Sequence, residues 1–103
     1  MNPMTTEEKP DPRTLLNRET ARIGWSELER HFASGAMVTV SHELDLVEVG
    51  ARFIEDDKKA VAAWLEGGYL RRTGEEEAQR WSAQDATLWC VVVAPWVLVQ
   101  EPR

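Results

Sequence analysis

The sequence predicts an α+β fold: a single small domain of about four to five helices packed on a small mixed sheet of three to four strands, ending in a C-terminal β-hairpin. Three observations predict it. At 103 residues the chain has the commonest domain size, with room for one core that needs neither disulfide nor structural metal. Apolar residues recur at helical intervals through its middle. The last stretch, LWCVVVAPWVLVQ (88–100), is nearly continuous apolar sequence divided by Ala94-Pro95-Trp96.

Residues 1–12 hold three of the 5 prolines and no large apolar residue besides methionine, so they read as a disordered arm, with the domain spanning 13–103. From Thr14 to Ser34 the residues Leu15, Leu16, Ile23, Trp25, Leu28 and Phe32 follow a helical pattern that Gly24 interrupts. A helix over about 25–34 then ends at Gly35, a residue type suited to a left-handed helix end. MVTV (37–40) is a short strand, by its alternation and β-branched content.

In ELDLVEVGARFIEDD the apolar residues alone are ambiguous. The polar ones decide for a helix, because Asp45, Glu48, Arg52 and Glu55 fall three or four apart and Glu48–Arg52 is a favourable i, i+4 pair. Ser41 is its expected cap. A further helix follows, capped by Asp56 or Asp57, with Val61, Trp64 and Leu65 inward and Gly67 at its end. YLRR (69–72) is a short strand, and Thr73 and Glu76 have the spacing of a capping box opening a helix that buries Ala78 and Trp81.

The last two strands are expected over about 87–93 and 97–100. The uninterrupted apolar character of the first suggests a central strand covered on both faces, with Trp89, Cys90 and Val92 inside. Ala-Pro-Trp lacks the Gly or Asn of a tight hairpin, but Pro95 presets the corner of a wider turn. The alternative is one strand kinked at Pro95.

Composition restricts function. The net charge is −6, which opposes attraction to nucleic acid or anionic lipid, and no apolar run approaches the roughly 18–20 residues of a membrane span. The start of the chain has neither the basic residues nor the apolar stretch of a secretory signal, so a cytoplasmic protein is expected. The single Cys90 lies in an apolar run and reads as a buried hydrophobe.

No glycine-rich phosphate loop, H-E-x-x-H, C-x-x-C or G-x-S-x-G is present. No catalytic residue is therefore assigned and no cofactor expected. Acidity concentrates between residues 43 and 57, where six acids face one base, Arg52. His42, Glu43, Asp45, Asp56 and Asp57 form a candidate ligand-binding set, suited to a hard divalent cation. Helix-start acids and a solvated face explain the same residues. Arg71 and Arg72 near a helix start suggest an anion clamp, against which three successive glutamates compete.

Five tryptophans are many for this length. Trp64, Trp81 and Trp89 fit core positions. Trp96, after Pro95 at a turn, is the aromatic best placed for contact with another molecule. Pro95, Trp96, Val97 and Trp25 are accordingly the candidate interaction residues.

ETARIGWSEL, LDLVEVGARFIEDD, AWLEGG, AQRW and above all LWCVVVAPWVLVQ resemble the bacterial domain-of-unknown-function family 2288, over about Arg18 to Glu101. The resemblance implies a soluble, single-domain bacterial protein and carries over no catalytic residue. The expected function is a non-enzymatic interaction module that pairs with a protein partner or with itself, as a homodimer for example, through the C-terminal strand pair. The alternative is a small-molecule or divalent-metal binding protein using segment 42–57.

Overall fold

In the computed structural model, which describes residues 11–102, the chain runs α1 (Pro12–Glu19), β1 (Ala21–Gly24), α2 (Trp25–Ala33), β2 (Met37–Val40), α3 (Leu46–Ile54), α4 (Lys58–Glu66), β3 (Leu70–Arg72), α5 (Glu75–Gln84), β4 (Thr87–Val93) and β5 (Trp96–Gln100). Of the arm expected over 1–12, residues 1–10 lie outside the described residues. Pro12 begins α1, where a missing N–H is harmless because first-turn donors have no helical partner. Asp11 caps that helix, accepting from the Arg13 N–H at 3.2 Å.

The five strands form one mixed sheet in the order β1-β4-β5-β2-β3. The pair β2/β5 is parallel, and the other neighbours are antiparallel. Helices cover both faces. On one side α1, α3 and α4 pack Leu16, Leu46, Val49 and Trp64 against Val38, Val40, Val91, Val93 and Leu98. On the other, α2 and α5 pack Trp25, Leu28, Ala78 and Trp81 against Met37, Leu88, Cys90, Val97 and Val99. The α+β class and the C-terminal hairpin of the sequence reading are present, with five strands rather than three to four.

Three local expectations need correction. The strand missed in the sequence is β1. Its four residues sit between two helices and continue their apolar spacing, so only pairing with β4 makes them a strand. Ser41 is not the cap of α3; Asp45 is, accepting from the N–H groups of Val47 and Glu48 at 2.9 and 3.2 Å. The capping interaction of α5 is shifted by one residue, with Glu77 accepting from the Gly74 N–H at 3.1 Å. Thr73 instead meets Thr39, hydroxyl to hydroxyl, at 2.8 Å. The left-handed end of α2 falls on Gly35, with φ of +80°.

Pro95 is in a hairpin turn and not at a kink, since β4 and β5 pair from Trp89↔Gln100 to Val93↔Trp96. The Ala94–Pro95 peptide is cis. The central strand is β5, buried from Val97 to Val99, and not β4. Trp89 and Val92 are exposed rather than inside: Trp89 lies opposite Arg22 of β1, whose guanidinium is 5.3 Å from its ring centroid, and Val92 lies beyond the end of β1. Leu65 likewise points outward from α4, a helix with no fully buried residue.

Candidate functional site

The hairpin turn brings Pro95 and Trp96 to the surface beside the corner between α3 and α4. A groove of about 640 Å³ lies between them, with Phe53, Ile54, Val61, Leu65, Pro95 and Trp96 in its walls. Around it Ile54, Leu65 and Val92 are 51%, 53% and 55% exposed. Trp96 is half-buried, packing on the core from one side. Its ring lies under the Arg72 guanidinium at 4.8 Å, and Arg72 is held there by donating to the Gly35 carbonyl at 3.1 Å. This arrangement leaves an aromatic with an apolar body and a charged cover, suited to contact with an apolar surface rather than to bond-making.

Of the predicted interaction residues, Pro95 and Trp96 meet in this groove. Val97 and Trp25 do not, and both are core residues. Val97 alternates away from Trp96 onto the opposite sheet face. Trp25, 4% exposed, packs against Phe32 and Trp81 with ring centroids 6.0 and 5.9 Å away. Leading a helix, it points inward because the core lies on that side.

The acidic segment divides. Asp56 and Asp57 line the groove. Asp57 accepts from the Ala60 N–H at 3.1 Å as the cap of α4 and takes Arg52 at 3.3 Å. Asp56 turns the corner with φ of +57°, which aspartate tolerates better than most residues. His42, Glu43 and Asp45 lie at the other end of α3, roughly 13 Å away along a nine-residue helix. There His42 Nε2 is 2.8 Å from the Glu101 carbonyl, and His42 and Asp45 border a separate hollow of about 330 Å³ with Trp89 and Gln100. Among the described residues no three His, Cys, Asp or Glu side chains converge to hold a metal ion.

Arginines offset much of the segment's charge. Arg13 meets Glu48 at 2.6 Å, and Arg52 meets Glu48 at 3.0 Å and Glu55 at 3.5 Å. The hydrogen bond from Arg13, and then the charges of Arg13 and Arg52, hold the Glu48 carboxyl below its ordinary range. The expected clamp of Arg71 and Arg72 does not form. Adjacent strand residues point to opposite faces, so Arg71 pairs with the buried Glu77 while Arg72 covers Trp96. Cys90 is buried, and burial pushes its thiol up to about 11, the reverse of what a nucleophile needs.

The sequence reading missed Ile54, Leu65 and Val92. The signal for Ile54 is an apolar residue directly before three acids. Val92 carries no such signal, since its exposure depends on where β1 stops.

The model of the family described as "Protein of unknown function (DUF2288)" matches residues 11–101. The chain is similar to a protein in "NMR solution structure of PA1075 from Pseudomonas Aeruginosa", with 46% sequence identity and a TM-score of 0.79, covering 99% of this chain and 94% of that one. Among curated proteins none matches.

Proposed function

This chain belongs to the family of proteins of unknown function DUF2288, and within it we propose that the protein is a non-enzymatic, cytoplasmic interaction module that self-associates through the hairpin end of its sheet. The observation that carries this reading is the apolar surface around Pro95 and Trp96. Ile54 and Leu65, each more than half exposed, border a groove whose walls are already apolar. Contiguous apolar surface of this kind is uncommon on monomers unless it meets something. Both strands of the hairpin are interior to the sheet, so contact is made by the turn and its neighbours rather than by pairing along the hairpin's whole length.

A second copy is the favoured partner. The groove carries Asp56 and Lys58, and neither has an ion pair among the described residues. A two-fold contact sets a surface against itself, so a patch bearing both signs can match each charge with its opposite. The reading of segment 42–57 as a ligand or metal site has less support, because Asp45 and Asp57 are occupied as helix caps at opposite ends of α3.

Light scattering coupled to size exclusion, over a hundredfold range of concentration, tests the proposal. A dimer population that grows with concentration is expected, and Ile54→Glu or Leu65→Glu should abolish it while leaving circular dichroism unchanged. A monomer throughout the range overturns it.

A further inference from the structure

The pairing of β1 with β4 ends at Ala21↔Cys90, although β4 continues to Val93. The ladder stops because the chain turns back into α1: the Thr20 N–H and hydroxyl both donate to the Leu16 carbonyl, at 2.8 and 2.6 Å. Residues 91–93 of β4 therefore have no strand on that side among the described residues.

Two observations show which backbone groups this leaves open. Val97 donates to the Ala36 carbonyl at 2.9 Å, toward β2, so at the register pair Val92↔Val97 the Val92 N–H and C=O point away from β5. Trp25 donates to the Ala86 carbonyl at 2.8 Å, which turns the even-numbered residues of β4 toward β1. Val92 is the even residue beyond the end of β1. It thus presents one donor and one acceptor at an open edge, together with a side chain that is 55% exposed.

We infer that two copies of this chain join edge to edge at Val92, each Val92 N–H donating to the Val92 carbonyl of the other across a two-fold axis. An antiparallel hydrogen-bonded pair has this reciprocal geometry, and strand addition at an open edge is a common mode of recognition. The surroundings fit a second copy. Beside Val92 lies a groove of about 540 Å³ with Ala21, Ile23 and Cys90 in its floor and Glu19, the last residue of α1, at its border. Its rim carries Glu27 and Arg30, neither of which has an ion pair among the described residues. A surface with both signs matches itself under two-fold rotation, whereas a purely acidic or basic partner would meet repulsion from one of them. The inference rests on the self-association reading above and specifies its geometry.

Backbone hydrogen exchange followed by NMR at two protein concentrations, alongside light scattering on the same samples, separates the two. The expected result is a dimer in which the Val92 amide exchanges at least roughly tenfold more slowly than in the diluted monomer. Val92→Pro, which removes a donor at a position where the N–H faces outward and Pro is tolerated, should remain folded and monomeric. A dimer whose Val92 amide exchanges at the monomer rate, or a folded Val92→Pro protein that still dimerises, overturns edge pairing and leaves self-association standing. A monomer at both concentrations overturns both. Exchange on the unaltered chain decides the matter even where Val92→Pro does not fold.

Discussion

Replacing Glu101 with Ala should destabilise this protein far more than its position near the end of the chain suggests. Glu101 Oε2 accepts from the Trp81 indole N–H at 2.7 Å and from Arg80 at 2.9 Å. Trp81 is 1% exposed and belongs to the core between α2, α5 and the sheet. Without Glu101 a buried donor loses its acceptor, which costs about 1–3 kcal/mol. Glu101 is itself partly open to solvent, so water can reach part of the site and the low end of that range, about 1–1.5 kcal/mol, applies. For a domain this size the melting temperature should fall by roughly 4–12 °C. Glu101→Gln retains a carbonyl acceptor and should lose less than half as much.

The pH dependence supplies an independent check. The hydrogen bonds from Trp81 and then Arg80 hold the Glu101 carboxyl below its ordinary value of 4.5. A group with a lowered folded pKa contributes stability above its unfolded pKa and loses that contribution as pH falls through the folded value. The deficit of Glu101→Ala should therefore be full at pH 7 and shrink below about pH 4.5. Thermal melts by circular dichroism from pH 3 to 7 measure both effects. A variant melting within 1 °C or so of the unaltered protein at pH 7, or a deficit constant over that range, would refute the reasoning.

Cys90 should react with a thiol reagent at pH 8 only slowly in the folded protein. Its thiol, raised from 9.0 to about 11, holds roughly a hundredfold less thiolate than a free one; a native rate equal to that in denaturant would contradict this. Arg13→Ala should move the NMR titration midpoint of the Glu48 side chain upward, toward the ordinary carboxylate range, because Arg13 is the largest cause of its depression. An unmoved midpoint would assign that depression to Arg52 instead. Millimolar calcium, magnesium or zinc should leave the melting temperature unchanged, since no three candidate ligands converge among the described residues. A rise of several degrees would revive the metal reading, because a ligand at a hundred times its dissociation constant adds about 2.7 kcal/mol.

The candidate site was only partly readable in advance. Pro95 and Trp96 stood out because proline at a break in an apolar run marks a turn, and an aromatic beside it has few ways to be fully buried. Their neighbours did not. Phe53 and Ile54 belong to a helix forty residues earlier in the chain, and nothing local places that helix's end over the hairpin turn. Trp25 and Trp96 look alike as exposed-aromatic candidates, yet one lies between two helices and the other under an arginine. The acidic residues misled in the opposite direction. Closeness in sequence suggested one site, whereas α3 separates them into two helix caps.

Local chemistry was sufficient for most elements: charged residues every three or four positions for α3, Gly35 at the end of α2, the apolar runs of β4 and β5, and the turn between them. These depend on interactions within a few residues, which any fold containing the segments would preserve. Strand order, the existence of β1, and the exposure of Val92 and Trp89 depend on contacts between residues far apart in the chain. Ala21 is a strand residue because Cys90 lies beside it, and Val92 is exposed because the chain turns into α1 before β1 can reach it. Hydrophobicity records that a side chain favours burial; whether a neighbour arrives to bury it is a property of the assembled sheet.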